Sequence, residues 1–170
     1  MLVKTIMTTA VRSARPAAPV RDVAITMCFD RISGLPVVDE NNLVTGVISE
    51  KDILHAMYPD INEVMDRGRI DFETLETEYN DIITLRVSDI MTRPVITVRD
   101  SDPVLKAVSV MCVNRIRRIP VINENGELVG ILSMGDVHRA IFQSSIMKES
   151  DGRGQKPESR AMNHAVTVKH

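Results

Sequence analysis

Two short motifs in this chain place a serine three residues before an aspartate, Ser49-x-x-Asp52 and Ser133-x-x-Asp136. Each follows an apolar run and precedes a segment with helical spacing, so each is predicted at a junction between a strand and a helix. A hydroxyl and a carboxylate at this spacing can cap a helix N-terminus, which is a purely structural role. The same carboxylate can accept the two hydroxyls of a sugar, and a helix N-terminus favours an anionic phosphate. The motifs predict a helix cap, a nucleotide site, or both together.

The motifs recur because the chain repeats itself. Residues 3–58 align with residues 87–142 without a gap, and 20 of the 56 aligned positions are identical. Two copies are too few for a solenoid, in which three or more repeats stack. The length of 170 residues suggests one ordinary domain, and the repeat changes that into two half-size units. We expect these units to form a pseudo-twofold pair that closes over a common core.

Each copy carries the same pattern of elements. A short extended stretch, clearest from Pro94 to Val98, precedes a helix that opens near Pro19 or Pro103, where proline suits the first turn; in the second copy, Asp102 is the predicted helix cap. Two β-rich runs and a closing helix follow, with the strong hairpin signal Asn-Gly between the second pair of strands. The predicted fold class is α/β (α+β), with two β-α-β-β-α repeats.

Composition changes along the chain predict its organisation. The segment between the copies is acidic and has apolar residues at helical spacing, which favours a helix on the surface. The C-terminal residues are polar and are interpreted as a disordered tail. The predicted order is a first repeat, an acidic helical linker, a second repeat and the tail: 1–58, 59–86, 87–147 and 148–170.

Basic side chains accompany both motifs. Arg115, Arg117 and Arg118 precede the run Ile119-Pro120. Guanidinium groups can pair with phosphate oxygens, although a solvated edge or a dimer rim explains them as well. Ile119 and Pro120 predict either an apolar wall for a base or ordinary buried strand packing.

The first copy has fewer candidate phosphate ligands. It keeps Arg31 but continues with Ser33-Gly34 in place of the paired arginines. Lys51, at the start of the closing helix, is the residue that can compensate.

The composition excludes several classes of protein. The formal charge of −2 gives no global basic field, which argues against nucleic-acid binding. No apolar run has the ~18–20 residues of a membrane helix, and no signal peptide is recognised, so a cytoplasmic location is predicted. Cys28 and Cys112 lie in apolar helical patterns and are expected to be buried, reduced thiols.

Catalytic patterns are missing from the sequence. The four histidines (His55, His138, His164 and His170) show no metal-ligand spacing, and His55 and His138 are expected on the surface of the closing helices. No glycine-rich phosphate loop is present. We therefore predict that the protein is not an enzyme and requires no cofactor or metal.

The ordered motifs resemble those of a tandem pair of cystathionine-β-synthase (CBS) domains. They are the segments Val87–Thr92, Arg117–Val121 and Gly130–Asp136, with first-copy counterparts at Lys4–Thr8, Gly34–Val38 and Gly46–Asp52. The resemblance implies a regulatory module that binds AMP, ADP, ATP or S-adenosylmethionine between the repeats and assembles as a flat homodimer. It also implies that Asp136 and Asp52 bind ribose, beside Ser133 and Ser49.

The resemblance further implies where the base is recognised. Backbone groups at Thr97 and Val98 would contact adenine, with the Thr97 hydroxyl nearby, although an ordinary strand threonine explains this residue as well. In the first copy Ser13 takes the place of Thr97, in a sequence that makes a poorer strand.

Two functions remain in competition at this point. The first is an adenosyl-ligand sensor that signals to a separate, unknown protein. The alternative is a ligand-independent dimerisation scaffold whose cleft is filled by its own side chains. A standalone enzyme is the least favoured of the hypotheses.

Overall fold

The computed structural model describes residues 1–57 and 81–151. The first repeat runs through a 3-10 helix (Val3–Thr5), α1 (Val20–Asp30), β1 (Gly34–Val38), β2 (Val44–Ser49) and α2 (Glu50–Met57). The second runs through α3 (Val87–Ile90), β3 (Val98–Arg99), α4 (Val104–Val113), β4 (Arg118–Ile122), β5 (Leu128–Ser133) and α5 (Met134–Asp151). The predicted α+β class with duplicated elements is confirmed.

The opening strand of each copy is shorter than predicted. In the second repeat it is reduced to Val98–Arg99, which pairs in parallel with β4, whereas the prediction began at Pro94. In the first repeat a single bridge joins Ala14 to β1. The opening strand is therefore less well formed in the first copy than in the second, as the sequence predicts.

The hairpins set the position of each Ser-x-x-Asp motif. Strands β1 and β2 are antiparallel with Gly34 opposite Ser49, and β4 and β5 are antiparallel with Arg118 opposite Ser133. The second hairpin turns at Gly126, whose φ of 85° lies in the left-handed region that favours glycine. Both serines end their strands, and a helix begins at the next residue. Each motif therefore lies at the strand-to-helix junction, beside the first residue of the neighbouring strand.

Helices α1 and α4 begin directly after Pro19 and Pro103, as predicted. The prediction that Asp102 caps α4 is wrong, because no side chain caps this helix start. The Asp102 carboxylate instead accepts hydrogen bonds from the Arg99 backbone N–H at 2.9 Å and from Lys106 Nζ at 2.8 Å. The bond from Lys106, followed by the one from Arg99, holds the pKa of Asp102 below its ordinary value.

The opening segments of the two repeats are exchanged. Thr8 and Ile131 exchange two backbone hydrogen bonds, both at 2.9 Å, so the start of the first repeat lies along the second hairpin. Thr92 and Val47 pair in the same way, with N···O distances of 2.8 and 3.3 Å. Each opening segment therefore extends the hairpin of the other repeat.

The exchange divides the interior into two clusters, not the common core that was expected. Val87 and Met91 complete the cluster built on the first hairpin. Val3 completes the other, with Ile6 and Met7 packed against it. Neither repeat encloses its hydrophobic core without a segment of the other.

The two cysteines are exposed, so the prediction of buried thiols is wrong. They occupy the same position on α1 and α4, next to the exposed side chains of Phe29 and Val113. Helical spacing cannot separate a face that packs on the core from an apolar face that stays open. Among the described residues, no helix is both long and apolar enough to cross a membrane.

Two predicted segments fall largely outside the described residues. The acidic linker 59–86 is described only from residue 81 onward. The predicted tail begins at residue 148, but α5 continues through Asp151. The rest of that segment lies outside the described part of the chain.

Candidate functional site

The first Ser-x-x-Asp motif forms a closed set of hydrogen bonds. Asp52 Oδ2 accepts from the Ser49 backbone N–H at 2.7 Å and from Ser49 Oγ at 2.6 Å. The Asp52 backbone N–H lies 3.4 Å from Ser49 Oγ and donates to it. This is the reciprocal capping pattern predicted for the motif.

The second motif repeats the arrangement with better-formed bonds. Asp136 Oδ2 accepts from the Ser133 backbone N–H at 2.9 Å and from Ser133 Oγ at 2.6 Å, and the Asp136 N–H donates to Ser133 Oγ at 3.1 Å. In both motifs one carboxylate oxygen serves the cap and the other, Oδ1, is turned away from it. The capping role therefore leaves a carboxylate oxygen for a second purpose.

The Asp136 motif opens into a cavity of about 420 Å³ between the repeats. The second repeat contributes Asp136, Ser133 and Arg118, and the first contributes Thr8 and Arg12. Two carboxylates, those of Asp136 and Asp30, share this space with the guanidinium groups, and Arg12 Nε already donates a hydrogen bond of 3.0 Å to Asp30 Oδ2. That combination suits a ligand with hydroxyls at one end and an anion at the other.

The Asp52 motif opens into a larger cavity of about 950 Å³. Lys51 and His55 lie beside the motif on α2, and the start of the second hairpin faces them across the space. Its lining from the second repeat includes Thr92, Arg117, Arg118, Ile119 and Pro120. Basic and apolar side chains from one repeat thus face the aspartate of the other.

Arg118 belongs to both cavities. Its guanidinium crosses between the repeats and donates a hydrogen bond to Ser33 Oγ. The equivalent position in the first repeat is Gly34, which has no side chain to offer. The basic character of the cleft is therefore supplied mainly by the second repeat, as its sequence predicts.

Most of the predicted site residues lie along these two cavities. The larger one is lined by Asp52, Ser49, Lys51, Arg117, Arg118, Ile119, Pro120 and Ser133, and the smaller one by Asp136, Ser133 and Arg118. Ile119 and Pro120 are buried strand residues, which bears out the interpretation as strand packing, while an apolar wall for a base remains a prediction. Whether these residues bind a ligand remains a prediction.

Three predicted residues line neither of these two cavities. Val98 is 3% exposed and belongs to the core of the second repeat. Thr97 precedes it and is half-buried, and Ser13 is exposed. Sequence reasoning grouped residues within one copy and did not foresee the exchange of opening segments.

Sequence reasoning missed Thr8 and Thr92 as candidate site residues. Each lines the cavity that holds the aspartate of the other repeat. The signal was present, because both residues end an Ile-Met-Thr triplet that recurs at a fixed offset. The sequence did not indicate that the triplet crosses to the other repeat.

The two histidines on the closing helices are exposed, as predicted. His55 lies at the larger cavity. His138 stacks on Phe142, with ring centroids 6.4 Å apart.

The duplicated hairpins, with a capped aspartate at the end of each, are matched by a known family. A family model for the CBS domain matches residues 3–59 and again residues 87–143. The chain belongs to the CBS domain family. The CBS repeats are the two units described above, and the recognition made from the sequence motifs is confirmed.

Relatives of this CBS pair occur in plants and archaea. The chloroplastic CBS domain-containing protein CBSX2 of Arabidopsis thaliana is 29% identical over 141 residues, which cover 76% of this chain and 58% of that protein. The protein MJ1426 of Methanocaldococcus jannaschii is 30% identical over 126 residues, covering 66% of this chain and 75% of that one. The chain thus spans little more than half the length of the plant relative.

A solved structure of the same plant protein has a similar fold. The crystal structure of CBSX2 in complex with AMP matches with a TM-score of 0.67 and 27% identity, covering 85% of this chain and 98% of that chain. The two proteins therefore share the architecture of the CBS pair.

Proposed function

We propose that this CBS pair is a regulatory module that binds an adenosyl nucleotide, namely AMP, ADP, ATP or S-adenosylmethionine, in the clefts between its repeats. The observation that carries the proposal is the position of Asp136 and Asp52. Each carboxylate lies at a helix N-terminus and lines a cavity that also contains arginine. The AMP complex of the similar protein CBSX2 supports this choice of ligand class.

The chemistry of the clefts suits the parts of such a ligand. The Oδ1 atoms of the aspartates, which take no part in the helix caps, are acceptors for ribose hydroxyls. The guanidinium groups of Arg117 and Arg118 are donors for phosphate oxygens, with which they can form paired hydrogen bonds. In the larger cavity, Pro120 is the proposed apolar contact for adenine, with the fully buried Ile119 packed behind it in the same strand.

The ligand would act as a signal and not as a substrate. A ligand shifts a conformational equilibrium only through different affinities for two states. Arg118 reaches from one repeat to Ser33 of the other, so a ligand that binds its guanidinium changes a contact between the repeats. The regulated protein is a separate partner of unknown identity, and catalysis, a cofactor and a bound metal are not part of the proposal. A cytoplasmic location likewise remains a prediction of the sequence.

Homodimerisation is part of the same proposal. Phe29 on α1 is 83% exposed and Val113 on α4 is 82% exposed. The exposed apolar side chains on the helices also include Ile25, Leu54, Leu105, Ile141, Phe142 and Ile146. Exposed apolar side chains in this number favour a partner protein that buries them. A second copy of the chain would bury those of α1 and α4 together. These side chains also support the alternative function, a dimerisation scaffold that needs no ligand.

Thermal unfolding with AMP, ADP, ATP and S-adenosylmethionine tests the proposal. A ligand at ~100 times its dissociation constant should stabilise the fold by about 2.7 kcal/mol. The double variant Asp52→Ala with Asp136→Ala should lose the stabilisation, while Asp22→Ala, on α1 and away from both cavities, serves as the matched control. A stable dimer that no adenosyl compound stabilises would favour the scaffold instead.

A further inference from the structure

The two aspartates differ in what occupies their free oxygen. Thr92 Oγ1 donates a hydrogen bond of 2.7 Å to Asp52 Oδ1, so the opening segment of the second repeat closes on the motif of the first. Among the described residues, no side chain donates a hydrogen bond to Asp136 Oδ1, and the nearby Arg139 Nη1 lies 3.6 Å away. That arginine side chain is 69% exposed, and an ion pair of this kind contributes little.

The equivalent threonine in the other repeat does not close its site. Thr8 lines the Asp136 cavity and pairs through its backbone with Ile131, as Thr92 pairs with Val47. Within the described part of the chain, however, its hydroxyl makes no hydrogen bond to Asp136. The two aspartates therefore differ in their contact with a threonine hydroxyl, although the backbones that carry the two threonines pair in the same way.

The two carboxylates differ in how many acceptor positions they have left for a ligand. Each carboxylate oxygen has about two lone-pair positions. Oδ2 of both aspartates already accepts two hydrogen bonds from the capping serine. Asp136 Oδ1 has both positions for the two hydroxyls of a ribose, whereas Asp52 Oδ1 has one position left beside the Thr92 hydroxyl.

We propose that the two clefts are inequivalent, with the Asp136 cleft as the tight ribose-binding site and the Asp52 cleft held in a weaker state by Thr92. This inference rests on the proposed function and specifies how that function is distributed. A ligand at Asp52 must first displace the threonine hydroxyl, which is bound to a charged acceptor. A hydrogen bond of that kind corresponds to about tenfold in affinity or more. The second ligand therefore binds only at higher concentration, and its binding turns the Thr92 hydroxyl away from Asp52.

Isothermal titration with AMP on the full chain tests the inference. The wild-type chain should show one tight site, with a second site about tenfold weaker or more. Asp136→Asn should abolish the tight site, and Asp52→Asn should abolish the weak one. Thr92→Val should strengthen the weak site about tenfold, so that the two sites bind with similar affinity.

Two further variants control for the substitution itself. Thr92→Ser keeps the hydroxyl and should bind as the wild type does. Thr84→Val removes a threonine hydroxyl that donates to the Asp81 carbonyl, and it lines neither cavity, so it controls for the loss of such a bond elsewhere. If Thr92→Val does not fold, the wild-type chain and the two asparagine variants decide the question.

The possible failures are distinct. Two equivalent sites in the wild-type chain, a tight site that depends on Asp52, or a folded Thr92→Val chain with an unchanged weak site would overturn the inference while leaving the proposed function intact. No binding of AMP, ADP, ATP or S-adenosylmethionine to any of these chains would overturn both.

Discussion

Met91 lies so close over Gly46 that a Cβ atom built on this glycine would be 2.7 Å from the Met91 sulfur. The same relationship holds between Met7 and Gly130, at 2.6 Å. In each case a methionine from the opening segment of one repeat packs over a glycine in the hairpin of the other. The two contacts fasten the exchanged segments in place next to the candidate clefts.

Gly130→Ala should destabilise the fold. The new methyl group would meet Met7 Sδ and also the Thr8 carbonyl oxygen, which lies 3.0 Å from the Cβ position and belongs to paired backbone. Overpacking of this kind costs about 1–3 kcal/mol, to be measured as a loss in the free energy of unfolding in urea. Gly46→Ala, with the Thr92 carbonyl at 3.3 Å, should cost less.

Gly135→Ala is the matched control for that experiment. Its Cβ would meet Ser133 Oγ at 3.6 Å, an ordinary contact, and the residue lies in helix α5. Because Gly135 is the second residue of this helix and makes no close contact, the substitution should leave the stability of the fold nearly unchanged. Equal stability of all three variants would mean that the methionine contacts do not fasten the opening segments.

Arg118→Ala should weaken AMP binding more than it weakens adenosine binding. The guanidinium lines both clefts and is proposed to pair with phosphate, which adenosine lacks. Loss of a charged hydrogen bond corresponds to about tenfold in the AMP dissociation constant, measured by titration calorimetry. Ser33→Ala removes the contact across the cleft but keeps the charge, so its effect should be smaller. An equal loss of AMP and adenosine affinity would instead assign Arg118 a role in the shape of the cleft.

Asp102 should make the stability of the fold depend on pH in the acid range. The hydrogen bond from Lys106 and then the Arg99 N–H lower the pKa of this carboxyl below its ordinary value of 3.8. A carboxyl with a lowered pKa stabilises the fold above its unfolded pKa, and this contribution is lost as pH falls through the folded pKa. Urea unfolding of the wild type and Asp102→Asn, compared at neutral pH and at pH values below 3.8, should show a difference in stability that shrinks with acid.

Lys106→Met separates the two causes of that shift. It removes the hydrogen bond from Lys106 to Asp102 and leaves the one from the Arg99 backbone N–H in place. The acid dependence should therefore decrease without vanishing. A difference between wild type and Asp102→Asn that stays constant from neutral to acid pH would contradict the assignment.

If the chain dimerises through α1 and α4 as proposed, Phe29→Asp should shift it from dimer to monomer. The ring is largely exposed on α1, and a charge placed in a covered apolar interface is costly. Sedimentation velocity at several protein concentrations measures the effect, and Val113→Asp should act in the same way from α4. Glu124→Arg, in the turn of the second hairpin, is the charge-changing control. Dimers that persist in both aspartate variants would place the interface elsewhere.

Local features of the fold follow closely from the sequence. The prolines before Val20 and Val104 start helices, the Asn-Gly turn closes the second hairpin, and the Ser-x-x-Asp motifs lie at strand-to-helix junctions. All of these depend on residues within a few positions of one another. The fixed offset between the copies extends each local prediction to its counterpart.

Long-range features are less accessible from the sequence. The pairing of Thr8 with Ile131 uses backbone groups, which every residue carries, so the sequence has no specific signal for it. The Thr92–Asp52 contact depends on that exchange and was missed with it. The exposure of Cys28 was mispredicted for a different reason, since an apolar helical pattern does not specify what covers it.

The exchanged opening segments suggest how two half-length chains can be joined into one, and how the joined chain behaves when it is cut between the repeats. A half-length chain would lack the segment that completes its core, and two identical halves could supply it to each other by domain swapping. The present arrangement is what results when two such swapped halves are joined into one polypeptide. Two fragments produced by cutting between the repeats would each carry the piece that the other needs, so they should reassociate as a complementing pair.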